Sequence, residues 1–169
     1  EWYPEVSSTP LATIRGLEIA GTTIWIADAS TASMYSALVP LPTITITNEP
    51  TAMATDGTSF WVAVDAVPVD KILKLAVSTS TATLITSFDS PGVETTGLTI
   101  HNGNLYVLVN DNQNIEMGDK TFQLTIPLLV QLDKDSGVEV SFSPLVDQWG
   151  GILMDLLGGL SSDGSLLYS

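Results

Sequence analysis

A ten-residue pattern that occurs four times is the feature of this sequence that most restricts its fold. Each copy begins with a small residue and a Leu or Met, passes through a Gly-containing turn and ends at an aromatic residue. The four copies are residues 16–25, 52–61, 97–106 and 159–168. The Leu or Met precedes the aromatic residue by eight positions in every copy. A regular internal repeat predicts an architecture in which each unit covers the apolar face of its neighbour.

The strands expected around these copies divide the chain into similar units. In the second unit, residues 51–55 and 60–64 flank Asp56-Gly57, which is a strong hairpin signal, and two further short strands follow. We therefore predict an all-β fold, a β-propeller of four-stranded antiparallel blades. A β-sandwich is the alternative. The predicted units are residues 16–47, 52–88, 97–143 and 159–169, with insertions at 110–126 and 144–158.

The last unit ends after two strands. Each of the four repeated aromatic side chains could bury about 150–250 Å² against a neighbouring blade. An arc that stops within a blade would expose apolar side chains together with a sheet edge. The expectation is therefore an incomplete arc of a larger propeller, completed by further sequence or by neighbouring chains.

Three of the second strands resemble those of propeller repeats of the NHL and YVTN types, namely residues 24–28, 60–64 and 105–110. The turn at residues 132–137 is similar to the turn between the third and fourth strands of those repeats. The resemblance covers most of residues 16–169 and implies the fold more than any chemistry. Proteins with such repeats include surface-layer and adhesion modules, scaffolds, sugar-acid lactonases and streptogramin lyases.

The charge balance excludes several kinds of partner. Nineteen acidic residues stand against five basic ones, which gives a formal net charge of −14. Nucleic acids and anionic membrane surfaces attract clustered Lys and Arg, so neither is an expected partner. No uncharged apolar run reaches the roughly 18–20 residues that span a bilayer, so direct membrane insertion is not expected.

Composition also indicates where the protein works. Only 14% of the residues are charged, and Ser and Thr make up much of the remaining polar surface. Such a surface is typical of exported or surface proteins, and we expect an extracellular or cell-surface location. Cysteine is absent from the sequence, which excludes disulfides and Cys-based sites.

Two residues are candidates for chemistry. His101, the single histidine, directly precedes a turn, and a catalytic role would require an acid or base partner. The resemblance to lactonase-like propellers implies a divalent cation held in the central channel by the first strands. Glu18 is the one carboxylate in that position, since the matching residues are Ala54, Thr99 and Ser161. One carboxylate does not provide the six or more oxygen ligands that Ca²⁺ takes.

Residues 110–119 are the densest segment of potential oxygen ligands. Its candidates for binding Ca²⁺ are Asp111, Asn112, Asn114 and Glu116. The segment departs from the EF-hand pattern at the sixth and twelfth positions, and a solvated loop is the alternative. The acidic segment 133–137 is interpreted as an ordinary hairpin turn, because a Gly completes an Asp- and Ser-containing sequence.

Two apolar segments are candidates for contacts with other proteins. The first lies within residues 148–157, and the second is the start of the chain. A cap or short helix packed on the domain is the alternative for the first segment. The interface candidates are Trp2, Tyr3, Trp149, Ile152, Leu153 and Met154.

No phosphate-binding loop, serine elbow or zinc-binding motif is present in the sequence. We therefore predict a structural or protein-interaction module, with protein partners or self-assembly in a multi-subunit complex. No cofactor is predicted, and Ca²⁺ is the one ion considered. The alternative is a lactonase- or lyase-like enzyme with a divalent metal in its central channel.

Overall fold

The computed structural model describes residues 13–36, 44–78, 81–146 and 159–168. Their regular secondary structure is β-strand, apart from one turn of 3-10 helix at Ala29–Thr31. The strands form three four-stranded antiparallel sheets and one two-stranded sheet. Within each sheet, strands that follow one another in sequence are hydrogen-bonded neighbours, as in propeller blades. The prediction of an all-β fold with four-stranded antiparallel blades is confirmed.

We number the sheets as blades 1 to 4 in chain order. Blade 1 contains β1 (Ile14–Ala20), β2 (Thr23–Asp28), β3 (Ser33–Ser36) and β4 (Ile44–Thr45). Blade 2 contains β5 (Pro50–Thr55), β6 (Phe60–Val64), β7 (Lys71–Val77) and β8 (Ala82–Asp89). Blade 3 contains β9 (Glu94–His101), β10 (Asn104–Met117), β11 (Lys120–Leu132) and β12 (Glu139–Pro144). Blade 4 contains β13 (Ser161–Ser162) and β14 (Leu167–Tyr168).

The first strands of the blades, β1, β5, β9 and β13, contact one another in chain order. Each blade therefore places its first strand innermost, against a central channel. We call the face of a blade that points toward the preceding blade in the chain its leading face. The opposite face, which points toward the following blade, is its trailing face.

The hydrophobic core lies between the blades. Because successive side chains of a strand point to opposite faces of the sheet, both faces of blade 2 contribute to it. Phe60 of β6 points to blade 1, whereas the next residue, Trp61, points to blade 3. The cluster between blades 1 and 2 consists of Trp25, Ala27, Met34, Ile46, Met53, Phe60, Val62, Val64 and Leu75. The cluster between blades 2 and 3 consists of Ala52, Ala54, Trp61, Ala63, Ile72, Leu98, Leu105, Val107, Val109, Val130 and Leu132.

The turn between β11 and β12 fastens blade 3 to blade 2. The indole N–H of the fully buried Trp61 donates to the carbonyl oxygen of Lys134 at 2.8 Å. The Nζ of Lys134 in turn donates to the carboxylate of Asp56 at 2.6 Å. Gly137 has a φ of 72° and lies so close to Phe88 that a Cβ would come within 2.3 Å of the ring. The acidic segment 133–137 is thus a turn that also makes a contact between blades.

The predicted insertion at 110–126 continues the central hairpin of blade 3. β10 and β11 remain paired up to Met117 and Lys120, beyond the point where pairing with β9 ends at Asn110. The polar residues of β10 are held in a strand because residues 120–126 opposite them alternate in the manner of a strand. The expected loop is therefore a two-stranded arm, residues 111–126.

Candidate functional site

The leading face of blade 1 is an uncovered apolar surface. Leu17 of β1 occupies the repeat position held by Met53 in blade 2 and Leu98 in blade 3. Met53 and Leu98 are only 3% and 2% exposed because the preceding blade covers them, whereas Leu17 is 59% exposed. Ile19, two residues further along the same face, is exposed as well. The repeat position that is part of the core in blades 2 and 3 is therefore exposed to solvent in blade 1.

The trailing face of blade 4 is open in a corresponding way. Tyr168 occupies the repeat position of Trp25 and Trp61, which are both buried against the following blade. Tyr168 is 48% exposed, and its hydroxyl donates to the carboxylate of Asp163 at 2.7 Å. The aromatic residues of the repeat therefore point toward the following blade. Among the described residues, no blade follows Tyr168.

A cavity of about 700 Å³ lies at the channel mouth, where the first strands begin. Arg15 of blade 1, Glu49 and Asp65 of blade 2 and Glu94 of blade 3 line it. Asp70 lines the same cavity, and burial raises its pKa, with a further contribution from the neighbouring carboxylates. Sequence patterns do not reveal this acidic mouth, because its residues come from separate segments of three blades.

Glu18 belongs to β1, the inner strand of blade 1. It lines a smaller cavity of about 120 Å³ together with residues of the other first strands. Burial raises the pKa of the Glu18 carboxyl from 4.5 to about 7. At neutral pH this group is therefore poised between its protonated and ionised forms. Glu18 and the acidic mouth line separate cavities.

His101 connects blade 3 to blade 4. Its Nδ1 lies 2.7 Å from the hydroxyl oxygen of Ser162, and its Nε2 lies 2.9 Å from the amide nitrogen of Asn102. Its ring also packs edge-to-face on Tyr106, with 5.7 Å between the ring centroids. The amide of Asn102 thus contacts one ring nitrogen and the hydroxyl of Ser162 contacts the other. Both nitrogens of this buried ring are thus engaged within the fold.

The candidate Ca²⁺ ligands of residues 110–119 lie on β10 rather than in a loop. Successive side chains of a strand point to opposite faces, so Asp111 is separated from Asn112, Asn114 and Glu116. Asp111 accepts a hydrogen bond from Gln113, and Asn112 accepts one from Thr125 at 2.8 Å. The strand therefore presents three candidate oxygen ligands on one side and the fourth on the other.

Within the described ranges, no group of three or more His, Asp or Glu residues is placed to hold a metal ion. Among the described residues that line this cavity, Glu18 is the single carboxylate, so these residues do not fit a channel metal by themselves. The same part of the chain contains no helix long and apolar enough to cross a membrane. The interface candidates Trp2, Tyr3, Trp149, Ile152, Leu153 and Met154 lie outside the described residues.

Comparison with solved structures agrees with this arrangement of blades. Glutaminyl cyclase from Myxococcus xanthus matches 93% of this chain with a TM-score of 0.67 and 15% sequence identity. A nidogen/laminin complex matches 92% of the chain with a TM-score of 0.52 and 16% identity. The fold is a partial β-propeller. No family model and no curated protein matches the sequence.

The match to solved structures is partial in length. The chain spans 60% of the glutaminyl cyclase chain and 70% of the chain from the nidogen/laminin complex. At these identities the likeness establishes the propeller fold alone, so the open faces have to be interpreted from their own chemistry.

Proposed function

We propose that this chain is a protein-interaction module of an exported or cell-surface protein, and that its open blade faces bind further β-sheet structure. The observation that carries the proposal is the exposure of Leu17 at a repeat position that is buried in blades 2 and 3. Full burial of a Leu side chain stabilises a contact by about 1.5–3 kcal/mol. A partner that covers this face would gain the same kind of contact that already joins the blades.

Photo-crosslinking in the cells that naturally express the chain tests this proposal. The photoreactive residue p-benzoylphenylalanine replaces Leu17 in one variant and Leu84 in a matched control. Leu84 is 55% exposed but lies on the fourth strand of blade 2, away from the open faces. We expect a discrete protein adduct from position 17 that is absent from position 84. Equal labelling from both positions, or none from position 17 in a folded variant, would refute the interaction module.

The proposed location rests on the acidic composition with many Ser and Thr residues and few charged ones. Protease treatment of intact cells, followed by detection of the chain, tests it. We expect degradation of the chain while a cytoplasmic marker protein is preserved. Protection of the chain in intact cells and its absence from the medium would rule out an exported location.

The alternative function is a lactonase- or lyase-like enzyme with a divalent metal in the channel. It is supported by the place of Glu18 on the channel wall, and it requires further ligands beyond the described residues. Calorimetric titration with Ca²⁺ and with Zn²⁺ separates the two proposals. The enzyme predicts a binding signal that Glu18→Gln abolishes, whereas the interaction module predicts none that depends on Glu18.

A further inference from the structure

The hydroxyl of Ser162, on β13 of blade 4, lies directly against a histidine of blade 3. Its Oγ is 2.7 Å from Nδ1 of His101, and the backbone N–H of Gly164 donates to the same oxygen at 3.0 Å. The other ring nitrogen, Nε2, lies 2.9 Å from the side-chain amide of Asn102. A hydroxyl, an imidazole and a third group that orients the imidazole are the parts of an activated nucleophile. The fold brings Ser162 and His101 together although they are 61 residues apart in the sequence.

The ring of His101 is held in one orientation by the fold. It is only 9% exposed, and it packs edge-to-face on Tyr106 with 5.7 Å between the ring centroids. Ser162 itself is partly exposed, so a reagent in solution can reach its hydroxyl while the imidazole stays shielded. The hydroxyl and the imidazole are therefore positioned before any substrate arrives.

An equivalent turn in blade 2 shows what the hydroxyl does without a histidine. Thr55 occupies the repeat position of Ser162, and in both blades the backbone N–H two residues further on donates to this oxygen at 3.0 Å. The hydroxyl of Thr55 donates its own proton to the carbonyl oxygen of Ser59 at 2.8 Å. In blade 1, the repeat position of His101 is held by Ala20. The turn therefore uses a hydroxyl but does not require an imidazole beside it.

We propose that Ser162 is a nucleophile that takes acyl groups from activated esters, with His101 as its general base. In the reacting state the amide of Asn102 is turned by half a rotation about Cβ–Cγ, so that its carbonyl oxygen accepts the proton on Nε2 and Nδ1 is the ring's acceptor. This activity is additional to the interaction module and does not depend on it.

The proposed step conserves every atom and proton. The Oγ of Ser162 attacks the carbonyl carbon of the ester while the hydroxyl proton passes to Nδ1 of His101. The bond between that carbon and the leaving oxygen then breaks, and the imidazolium gives its proton to the leaving oxygen. The products are an acyl ester on Ser162 and a free alcohol, and hydrolysis of this ester by water restores the hydroxyl.

Charge selects which acyl donors approach this hydroxyl. Hydrogen bonds, first among them that from the backbone N–H of Leu166, lower the pKa of the adjacent Asp163 to about 2. Its carboxylate is therefore ionised at neutral pH, and the whole chain carries a formal net charge of −14. Neutral or cationic esters are consequently favoured over anionic ones.

Acetylation by p-nitrophenyl acetate tests the proposal. Acetylated protein is digested, and the modified residues are identified by mass spectrometry as a function of time. Neutral hydroxylamine removes acetyl groups from hydroxyls but not from amines, which separates Ser162 from the five basic residues. The variant Thr55→Ser provides the matched control, because it places a serine hydroxyl in the equivalent turn without a histidine. p-Nitrophenyl succinate, which has the same leaving group but an anionic acyl group, tests the charge preference.

We expect position 162 to be acetylated about 10²-fold faster than position 55 of Thr55→Ser, and His101→Gln to remove this advantage. Circular dichroism shows whether His101→Gln is folded, and the comparison of positions 162 and 55 decides the matter if it is not. Equal rates at the two positions, acetylation of amines alone, or an unchanged rate at position 162 in folded His101→Gln would overturn the proposal. An equal rate with the succinate ester would overturn the charge preference. The crosslinking from position 17 tests the interaction module separately.

Discussion

Glu18 illustrates how a residue in the channel couples the fold to pH. Burial raises the pKa of its carboxyl to about 7, whereas the ordinary value of 4.5 applies in the unfolded chain. Between these values the folded state binds more protons than the unfolded state, so stability falls as the pH rises from about 4.5 to 7. Because water still reaches part of the side chain, we expect the loss to be about 1–2 kcal/mol.

Replacement of Glu18 by Gln removes this ionisation while keeping the shape of the side chain. We expect Glu18→Gln to raise the free energy of unfolding by about 1–2 kcal/mol at pH 8 and to leave it nearly unchanged at pH 4. Urea denaturation at both pH values measures the difference. The exposed Glu139 on β12 provides the control, Glu139→Gln, which should change neither value. An equal effect of Glu18→Gln at both pH values would contradict the raised pKa.

Trp61 stabilises the fold through its indole N–H as well as through the size of its ring. Trp61→Phe keeps an aromatic ring at the junction of blades 2 and 3 but leaves the carbonyl of Lys134 without the indole donor. We expect a loss of about 2–4 kcal/mol, from the partly buried carbonyl left without its donor together with the smaller ring.

Trp25→Phe is the matched control, since it makes the same change of ring at the junction of blades 1 and 2 without affecting Lys134. Trp25 packs on Phe60 with 5.1 Å between the ring centroids. Urea denaturation of the two variants should show that the Trp61 change is more costly by about 1 kcal/mol or more. An equal cost for both would assign the whole effect to ring size.

At the scale of elements, the blade strands could be predicted from sequence because alternation and turn chemistry act locally. The expected strands 51–55 and 60–64 correspond to β5 and β6 almost residue for residue. The arm could not be predicted in this way, since Asn and Asp are poor strand formers and residues 111–114 become a strand only by pairing with β11. The acidic channel mouth could not be predicted from the sequence because it joins distant segments.

The arm should be dispensable for the stability of the blades. None of the described side chains of residues 112–125 belongs to either core cluster, and an isolated two-stranded ribbon is marginally stable in water. Asp111 and Ile126 face each other in the ladder, so an Asn-Gly turn can join them in place of residues 112–125. We expect this variant to unfold cooperatively within about 1 kcal/mol of the wild type, measured by urea denaturation followed by circular dichroism. Loss of cooperative unfolding would show that the arm supports the core.

Gly97 should control how firmly blade 4 is attached to blade 3. An added Cβ would lie 2.9 Å from both the backbone nitrogen and the Cβ of Leu160, and the backbone cannot move away cheaply. We expect Gly97→Ala to cost about 1–3 kcal/mol, chiefly by loosening β13 from β9. Hydrogen exchange followed by mass spectrometry should show faster exchange in residues 159–168 and little change in blades 1 and 2. The exposed variant Val140→Ala on β12 is the control, and uniform acceleration across all blades would refute a local effect.

At the scale of the whole molecule, net charge opposes the compact state. Only three lysines form ion pairs among the described residues, and their side chains are partly exposed or pair with exposed carboxylates. The pairs are Lys71 with Asp89, Lys74 with Asp135, and Lys134 with Asp56. Surface pairs contribute about 0–1 kcal/mol each, whereas a net charge of −14 repels itself throughout the fold. Screening of this repulsion should outweigh screening of the pairs.

We therefore expect the melting temperature to rise by roughly 2–6 °C between 10 and 150 mM NaCl, as the screening length falls from about 30 to 8 Å. Calorimetric melts in NaCl and KCl should coincide, because screening depends on ionic strength and not on the identity of the monovalent cation.

CaCl₂ at matched ionic strength separates screening from specific binding, since a Ca²⁺ site on residues 110–119 would add stability that the variant lacking residues 112–125 does not show. A melting temperature that falls with NaCl would mean that the ion pairs outweigh the general repulsion. An increase confined to Ca²⁺ and lost with the arm would instead assign the acidic segment of β10 a binding role.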